Sequence, residues 1–298
     1  VPRVTLIICM ITISECPLCN SNNLLYYLTC KDYLVSKKEF TLNTCSSCGF
    51  IFTNPIPDIT TLGAYYKSDQ YISHSDTKKG LISRLYHWAR KISVKKKWSL
   101  IEDYVARGTI LDFGCGTGYF LSHANTKKWL CVGVEPDAGA RAIAMDKVKQ
   151  VYNTLPNECP VFNVITLWHV LEHIPNLKEQ LSHLIQNLES NGIIIIAVPN
   201  PKSFDAGFYG KDWAAYDVPR HLYHFKQTQM LDLLQSFGLN HIKTIGMPAD
   251  SFYVSLLTEQ RRNTIWSLPK AFCIGLFSNL RARFTSEYSS LIYIFKKP

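Results

Sequence analysis

The sequence has no apolar run long enough to cross a membrane. Its most apolar stretches are Val4–Ile13, ten residues, and Ile193–Val198, whereas a spanning helix needs roughly 20. It also lacks the small-residue cleavage site that would make its first residues a secretion signal. Charge is sparse, at 18% of the 298 residues, and acids are fewer than bases, 23 against 32. Between Lys78 and Lys97 there are eight Lys or Arg and no acid at all. Disorder is excluded by what is plentiful: 47% hydrophobic types and 12% aromatics, enough for a large core. The net charge of +9 permits an anionic partner such as a nucleic acid, an acidic surface or a phosphorylated metabolite, and does not choose among them. Met10 stands just ahead of the first cysteine motif, and the reading leaves open whether residues 1–9 belong to the native protein.

Four of the ten cysteines form two Cys-x-x-Cys pairs, Cys16/Cys19 and Cys45/Cys48, with 25 residues between them. In a chain without an export signal this reads as metal binding in a reducing, cytoplasmic compartment rather than as disulfides. Each pair supplies two thiolates from one tight turn, so together they suit a closed, tetrahedral, structural zinc site. A unit this small, residues 14–60, would draw its folding energy from the metal. Asn54-Pro55-Ile56-Pro57-Asp58 then reads as a break. Residues 61–106 are expected to form a basic helical linker, with Leu81, Leu85, Trp88 and Ile92 at helical spacing.

From Gly108 onward short apolar runs alternate with helical stretches. Strands are expected at Thr109–Phe113, Leu130–Val134, Val148–Tyr152, Phe162–Trp168, Ile193–Val198, His241–Ile245 and Leu291–Phe295. One helix carries Leu177, Leu181, Leu184, Ile185 and Leu188 and should stop at Asn191-Gly192. Another should be capped by Thr228 and end at Gly238. Residues 199–225 read as a long loop and 247–287 as a mainly helical insertion. The alternation argues for an α/β fold with a largely parallel sheet.

The turn after the first of these strands is the most informative segment: Leu111-Asp112-Phe113-Gly114-Cys115-Gly116-Thr117-Gly118. Glycines at alternate positions let backbone pass close to a ligand, and a side chain at Gly114 or Gly116 would fill that space. The helix that follows offers free N–H groups at its start. Twenty-one residues after Gly114 comes Glu135, at the end of the second strand, where an acid can grip a ribose diol. The dinucleotide fingerprint fits poorly, because its third glycine would fall at Tyr119, and no Gly-Lys-Ser/Thr follows for a P-loop.

This turn resembles the first motif of class I S-adenosylmethionine-dependent methyltransferases. Glu135 matches that family's second-strand acid, and Phe162–Ile174, ending Trp168-His169-Val170-Leu171-Glu172-His173-Ile174, resembles its fourth-strand motif. The Cys pairs resemble zinc-binding amino-terminal modules of some sugar and ribosomal-RNA methyltransferases. The resemblance implies a Rossmann-like, seven-stranded methyltransferase sheet over residues 107–298, its last strand antiparallel, beside a small zinc-ribbon-like module. It implies that Gly114, Cys115, Gly116 and Gly118 bring backbone to the methionine part of S-adenosylmethionine. Asp112 would position that part, Glu135 and Pro136 would meet the ribose, and Trp168 would lie near the transfer site.

Methyl transfer depends mostly on alignment, but an oxygen or nitrogen acceptor can need a base, a role suited to His. Candidates are His169, His173 and His221. The segment 213–225, dense in Asp, Arg, His and Tyr, is expected to wall the acceptor, with Trp213, Asp217, Arg220 and His224 as contacts. His169-x-x-Glu172-His173 also matches a zinc-peptidase signature, which belongs within a helix; here it follows a strand directly, so that reading is rejected. The expected acceptor is a small molecule such as a sugar or nucleotide-sugar intermediate. RNA methylation and a non-catalytic cofactor-binding scaffold are the alternatives.

Overall fold

A computed structural model describes residues 9–66, 81–263 and 265–298, with backbone alone over 81–90. The helical face expected from Leu81, Leu85 and Trp88, and the stretch 67–80, lie outside the described side chains. Strand β1 (Met10–Ile11) is followed by β2 (Leu24–Lys31), β3 (Glu39–Cys45), β4 (Ile51–Thr53) and β5 (Ile56–Pro57), and β1 pairs with β5. Helix α1 (Leu81–Glu102) leads into the larger unit.

That unit runs β6 (Thr109–Phe113), α2 (Tyr119–Thr126), β7 (Leu130–Val134), α3 (Ala138–Met145), β8 (Gln150–Tyr152), β9 (Phe162–Trp168), α4 (Leu177–Gln186) and β10 (Leu188–Pro199). After α5 (Phe204–Tyr209) and β11 (Tyr223–His224) come α6 (Gln227–Ser236), β12 (Asn240–Gly246), α7 (Pro248–Arg261), α8 (Ser267–Thr285) and β13 (Ser290–Lys296). The main sheet has seven strands in the order β12-β13-β10-β9-β6-β7-β8. Only β13 runs against its neighbours, β10 and β12. The order reverses at β6, which is flanked by β9 on one side and β7 on the other. In such sheets the crevice beyond the strand ends at this switch point is the ligand site.

The β-branched run of β10 explains its central place. Ile193 to Val198 are all buried, as a strand covered on both faces must be. One face is packed by Leu111, Ile165, Leu167, Ile194 and Ile196, the other by Ile110, Val164, Ile195, Phe120 and Trp98. Among the described residues no helix is long and apolar enough to cross a membrane.

Three expectations are corrected. Helix α4 ends at Gln186, because Asn191 (φ 64°) sits in the irregular start of β10, where pairing with β9 slips between Leu188 and Ile193. Thr228 lies within α6 and does not cap it; the start of that helix is tied instead by Lys226 Nζ to Gly49 O (2.7 Å) and Gln229 Nε2 to Cys48 O (2.7 Å). The stretch 199–225 is no plain loop. It contains α5 and two 3-10 turns, and β11 adds to the amino-terminal strands, pairing Tyr223 with Phe52 and His224 with Ile51. The result is a four-stranded sheet, β11-β4-β3-β2, built from segments far apart in the sequence. One hydrophobic cluster runs from Cys16, Phe50 and Phe52 to Leu171, Tyr223 and Phe225, so the amino-terminal unit shares a core with the larger one.

Candidate functional site

The ends of β6, β7 and β9 meet at one edge, with Phe113 beside Val134 and Asp112 beside Thr166. The turn Gly114–Gly118 leaves β6 with φ of 78°, 53° and 74° at its three glycines, a region other residues enter only with strain. The reasons differ along it. A Cβ on Gly114 would strike the side chain of Val170, whereas a Cβ on Gly116 would meet nothing within 4 Å. At Gly114 the side-chain space is taken by Val170, and the open approach is at Gly116.

Glu135 locks this turn. Its Oε2 accepts from Gly116 N (2.9 Å) and its Oε1 from Asp137 N (2.9 Å). Each carboxylate oxygen keeps a further lone pair for a diol. Burial pushes its pKa up, against the two backbone N–H groups. Asp137 then caps α3 through Ala140 N (2.8 Å), next to Pro136. Asp112 is buried, accepts from Thr166 Oγ1 (2.7 Å), and has its pKa pushed up to about 7 by that burial. Cys115 is buried behind the turn.

Trp168 closes the other side. Its ring meets Phe120 edge-on at 5.6 Å, and Lys97 Nζ stands 4.3 Å over its face. Its buried Nε1–H has no partner. An open glycine cradle, a carboxylate with spare lone pairs and an orphaned donor fit a nucleoside with a charged tail. His169, in left-handed backbone (φ 57°), lies between Glu172 Oε1 (Nδ1, 3.5 Å) and Asp250 Oδ2 (Nε2, 3.2 Å). Burial alone would lower its pKa, but the two carboxylates outweigh it and raise it to about 9. Held so, the ring is biased toward its charged form.

The four paired cysteines converge as expected. Cys16 and Cys48 sulfurs are 3.6 Å apart, Cys19 and Cys45 likewise 3.6 Å, and all four lie within 4.8 Å of one another. A tetrahedral ion with bonds of ~2.3 Å to sulfur would set its ligands ~3.8 Å apart, so the cluster fits zinc. Both knuckles close alike. Asn20 N bonds Cys16 O (2.9 Å) and Gly49 N bonds Cys45 O (2.8 Å), with positive φ at Asn20 and Gly49. Cys30 is buried elsewhere, its thiol pushed up to about 12 by desolvation.

The family profile described as a methyltransferase domain matches residues 84–244, more than half of the chain. The chain belongs to the methyltransferase domain family. It is similar to the ubiquinone biosynthesis O-methyltransferase of Rickettsia prowazekii, 22% identical over 160 residues, covering 50% of this chain and 63% of that protein. The same-named protein of Rickettsia typhi is 22% identical over 177 residues, covering 54% of this chain and 71% of that one. The chain thus spans less than two thirds of the first of these relatives. Among solved structures it resembles the magnesium protoporphyrin IX methyltransferase of Synechocystis PCC 6803 with bound SAH (TM-score 0.53, 15% identity, 81% of this chain and 100% of that one). It also resembles the StiE O-MT domain (TM-score 0.50, 12% identity, 74% and 78%). At these identities the likeness concerns the fold, which is the Rossmann-like sheet of class I methyltransferases with its last strand antiparallel.

Within this methyltransferase domain, the segment expected to wall the acceptor is turned inward. Trp213, Arg220 and His224 are buried. Trp213 Nε1 donates to Asp205 Oδ2 (2.8 Å). Arg220 spends its guanidinium on Asp217 (2.8 Å from both Nε and Nη2), Asp32 (3.1 Å) and the Tyr65 carbonyl (3.1 Å). Those side chains hold the segment and do not present an exposed wall. His173 and His221 stack edge-to-face at 4.5 Å behind His169. Two participants escaped the sequence reading. Lys97 looked like one more charge on a solvated helix, and Asp250 opens an inserted helix with no local pattern to mark it; both carry charge to the edge where Trp168 and His169 lie.

Proposed function

We propose that this chain transfers a methyl group from S-adenosylmethionine to an oxygen, nitrogen or carbon of a small acceptor, such as a sugar or nucleotide-sugar intermediate, in the cytoplasm. The observation that carries this is the Gly116–Glu135 arrangement: open space at Gly116, with the Glu135 carboxylate fixed by two backbone N–H groups at 2.9 Å. The bound cofactor would supply a sulfonium methyl already activated for in-line displacement. The chain's part is alignment. Glu135 grips the ribose hydroxyls; the Gly114–Gly118 backbone and Asp112 seat the methionine end; Trp168 shields the transfer side. The acceptor approaches from the edge bounded by His169 and Asp250, beneath α7. The Cys16, Cys19, Cys45 and Cys48 site holds a structural zinc that fixes the amino-terminal unit.

The activity for which the two Rickettsia relatives are named, O-methylation in ubiquinone biosynthesis, supports a small acceptor over RNA. Calorimetric titration of the metal-replete chain with S-adenosylmethionine tests cofactor binding. Labelled cofactor incubated with fractionated extracts then tests turnover, with label expected in small molecules. Label in RNA, or no label with tight cofactor binding, would replace this reading with one of its two alternatives.

A further inference from the structure

The motif set aside in the sequence reading, Glu172-His173, is not isolated in the fold. Glu172 and His173 form the turn that follows β9, and the backbone bond from Leu222 N to Glu172 O (2.8 Å) draws the segment carrying His221 against it. One nitrogen from each of His173 and His221 and one oxygen of Glu172 come within 4.8 Å of one another.

The proton positions decide what this cluster can do. His173 Nδ1 lies 3.0 Å from the Arg220 carbonyl oxygen, and His221 Nδ1 lies 2.8 Å from the Ala215 carbonyl oxygen. A carbonyl only accepts, so each Nδ1 carries a hydrogen, which leaves Nε2 as the nitrogen through which either ring can ligate. The Tyr66 hydroxyl, 3.0 Å from His173 Nδ1, sits on the same, outer side of that ring. Glu172 is 1% exposed, and neither of its oxygens has a hydrogen-bond partner, His169 Nδ1 standing 3.5 Å from Oε1. His224 Nε2, buried in the neighbouring ring, is also without a partner. An unsatisfied, buried carboxylate thus lies within ligand distance of one nitrogen of each of two imidazoles. Beyond the long contact from His169 Nδ1, this buried carboxylate has no donor, which is costly unless a cation lies beside it.

We infer that Glu172, His173 and His221 form a second metal site, for a divalent transition-metal cation, independent of the four cysteines. Two imidazoles and a carboxylate suit zinc, iron(II), cobalt or manganese, and poorly suit a soft ion that prefers thiolates. The carbonyls of Arg220 and Ala215 act as the outer partners that fix ring tautomer and orientation in such sites. Three protein ligands leave one coordination position for an exchangeable oxygen. The peptidase reading stays rejected, since these residues leave a strand; what they share with it is the ability to bind metal.

The test uses the full chain, stripped with chelator and reloaded with cobalt(II), with metal counted per chain by mass spectrometry. Wild type should hold a second ion beyond the thiolate-bound one. The Glu172→Gln/His221→Gln variant should lose one ion and keep the sulfur-to-cobalt charge-transfer band. Cys45→Ser/Cys48→Ser should lose that band and keep the weaker nitrogen/oxygen-ligand bands. A single, sulfur-ligated ion in wild type, or an unchanged count in Glu172→Gln/His221→Gln, would overturn the site. X-ray absorption of zinc-loaded wild type needs no variant to fold: a mixed sulfur and nitrogen/oxygen shell is expected, and a pure sulfur shell sinks the proposal. Cofactor titration of the same samples reports separately on the methyltransferase reading.

Discussion

Two segments of this chain are dense in residues that look functional, and they end in opposite conditions. The turn Gly114–Gly118 with Glu135 keeps open space at Gly116 and lone pairs to spare. The segment 213–225 has more charge and more aromatic rings, yet Arg220, Asp217 and Trp213 exhaust their hydrogen bonds on the chain itself. What separates the glycine turn from those three side chains is leftover valence: a group already fully partnered positions others, and one with an unspent donor or acceptor can meet a ligand.

The contrast can be broken most severely at Arg220. Arg220→Ala strands the buried carboxylate of Asp32 and the half-buried one of Asp217 and should lower unfolding free energy by about 3–5 kcal/mol in denaturant titration. Molecules still folded should bind S-adenosylmethionine as before; a specific loss of affinity would put Arg220 in the binding site. Glu135→Lys should act the other way, weakening cofactor binding by about 100-fold, roughly the two charge-assisted hydrogen bonds it offers a diol, as read by calorimetry. A smaller effect is expected from Gly116→Ala, about tenfold in the same measurement. Its Cβ enters the open space, and the φ of 53° adds strain of ~1 kcal/mol. The smallest is a pH effect. The Asp112 carboxyl, raised to about 7 by burial, is neutral below that pH and anionic above it. Affinity for the positively charged cofactor should therefore rise about threefold as pH climbs from 6 to 8, and Asp112→Asn should flatten that part of the profile.

Much of the fold was legible because its signals are local. Thr109–Phe113, Leu130–Val134 and Phe162–Trp168 are strands as read, since apolar runs bounded by turns need no distant partner to be recognised. The cysteine knuckles were legible for the same reason. Asn191 was misread because positive φ serves a helix end and a strand irregularity equally well. The Arg220–Asp32 pair joins residues 188 apart in sequence, and Asp250 meets His169 from an insertion; no spacing rule reaches such contacts. That Trp213, Arg220 and His224 are buried was not legible, because composition reports which groups are present and not whether they are already satisfied.

The short pairing of Tyr223–His224 onto Ile51–Phe52 has a consequence for how this protein can be cut. Severing the first sixty residues would not trim away an appendage. It would strip an edge from the peptide that bears two of the clustered imidazoles and unseat the keystone guanidinium from Asp32. The amino-terminal segment thus serves as scaffolding for the catalytic half, and truncation there should be felt at the far side of the molecule.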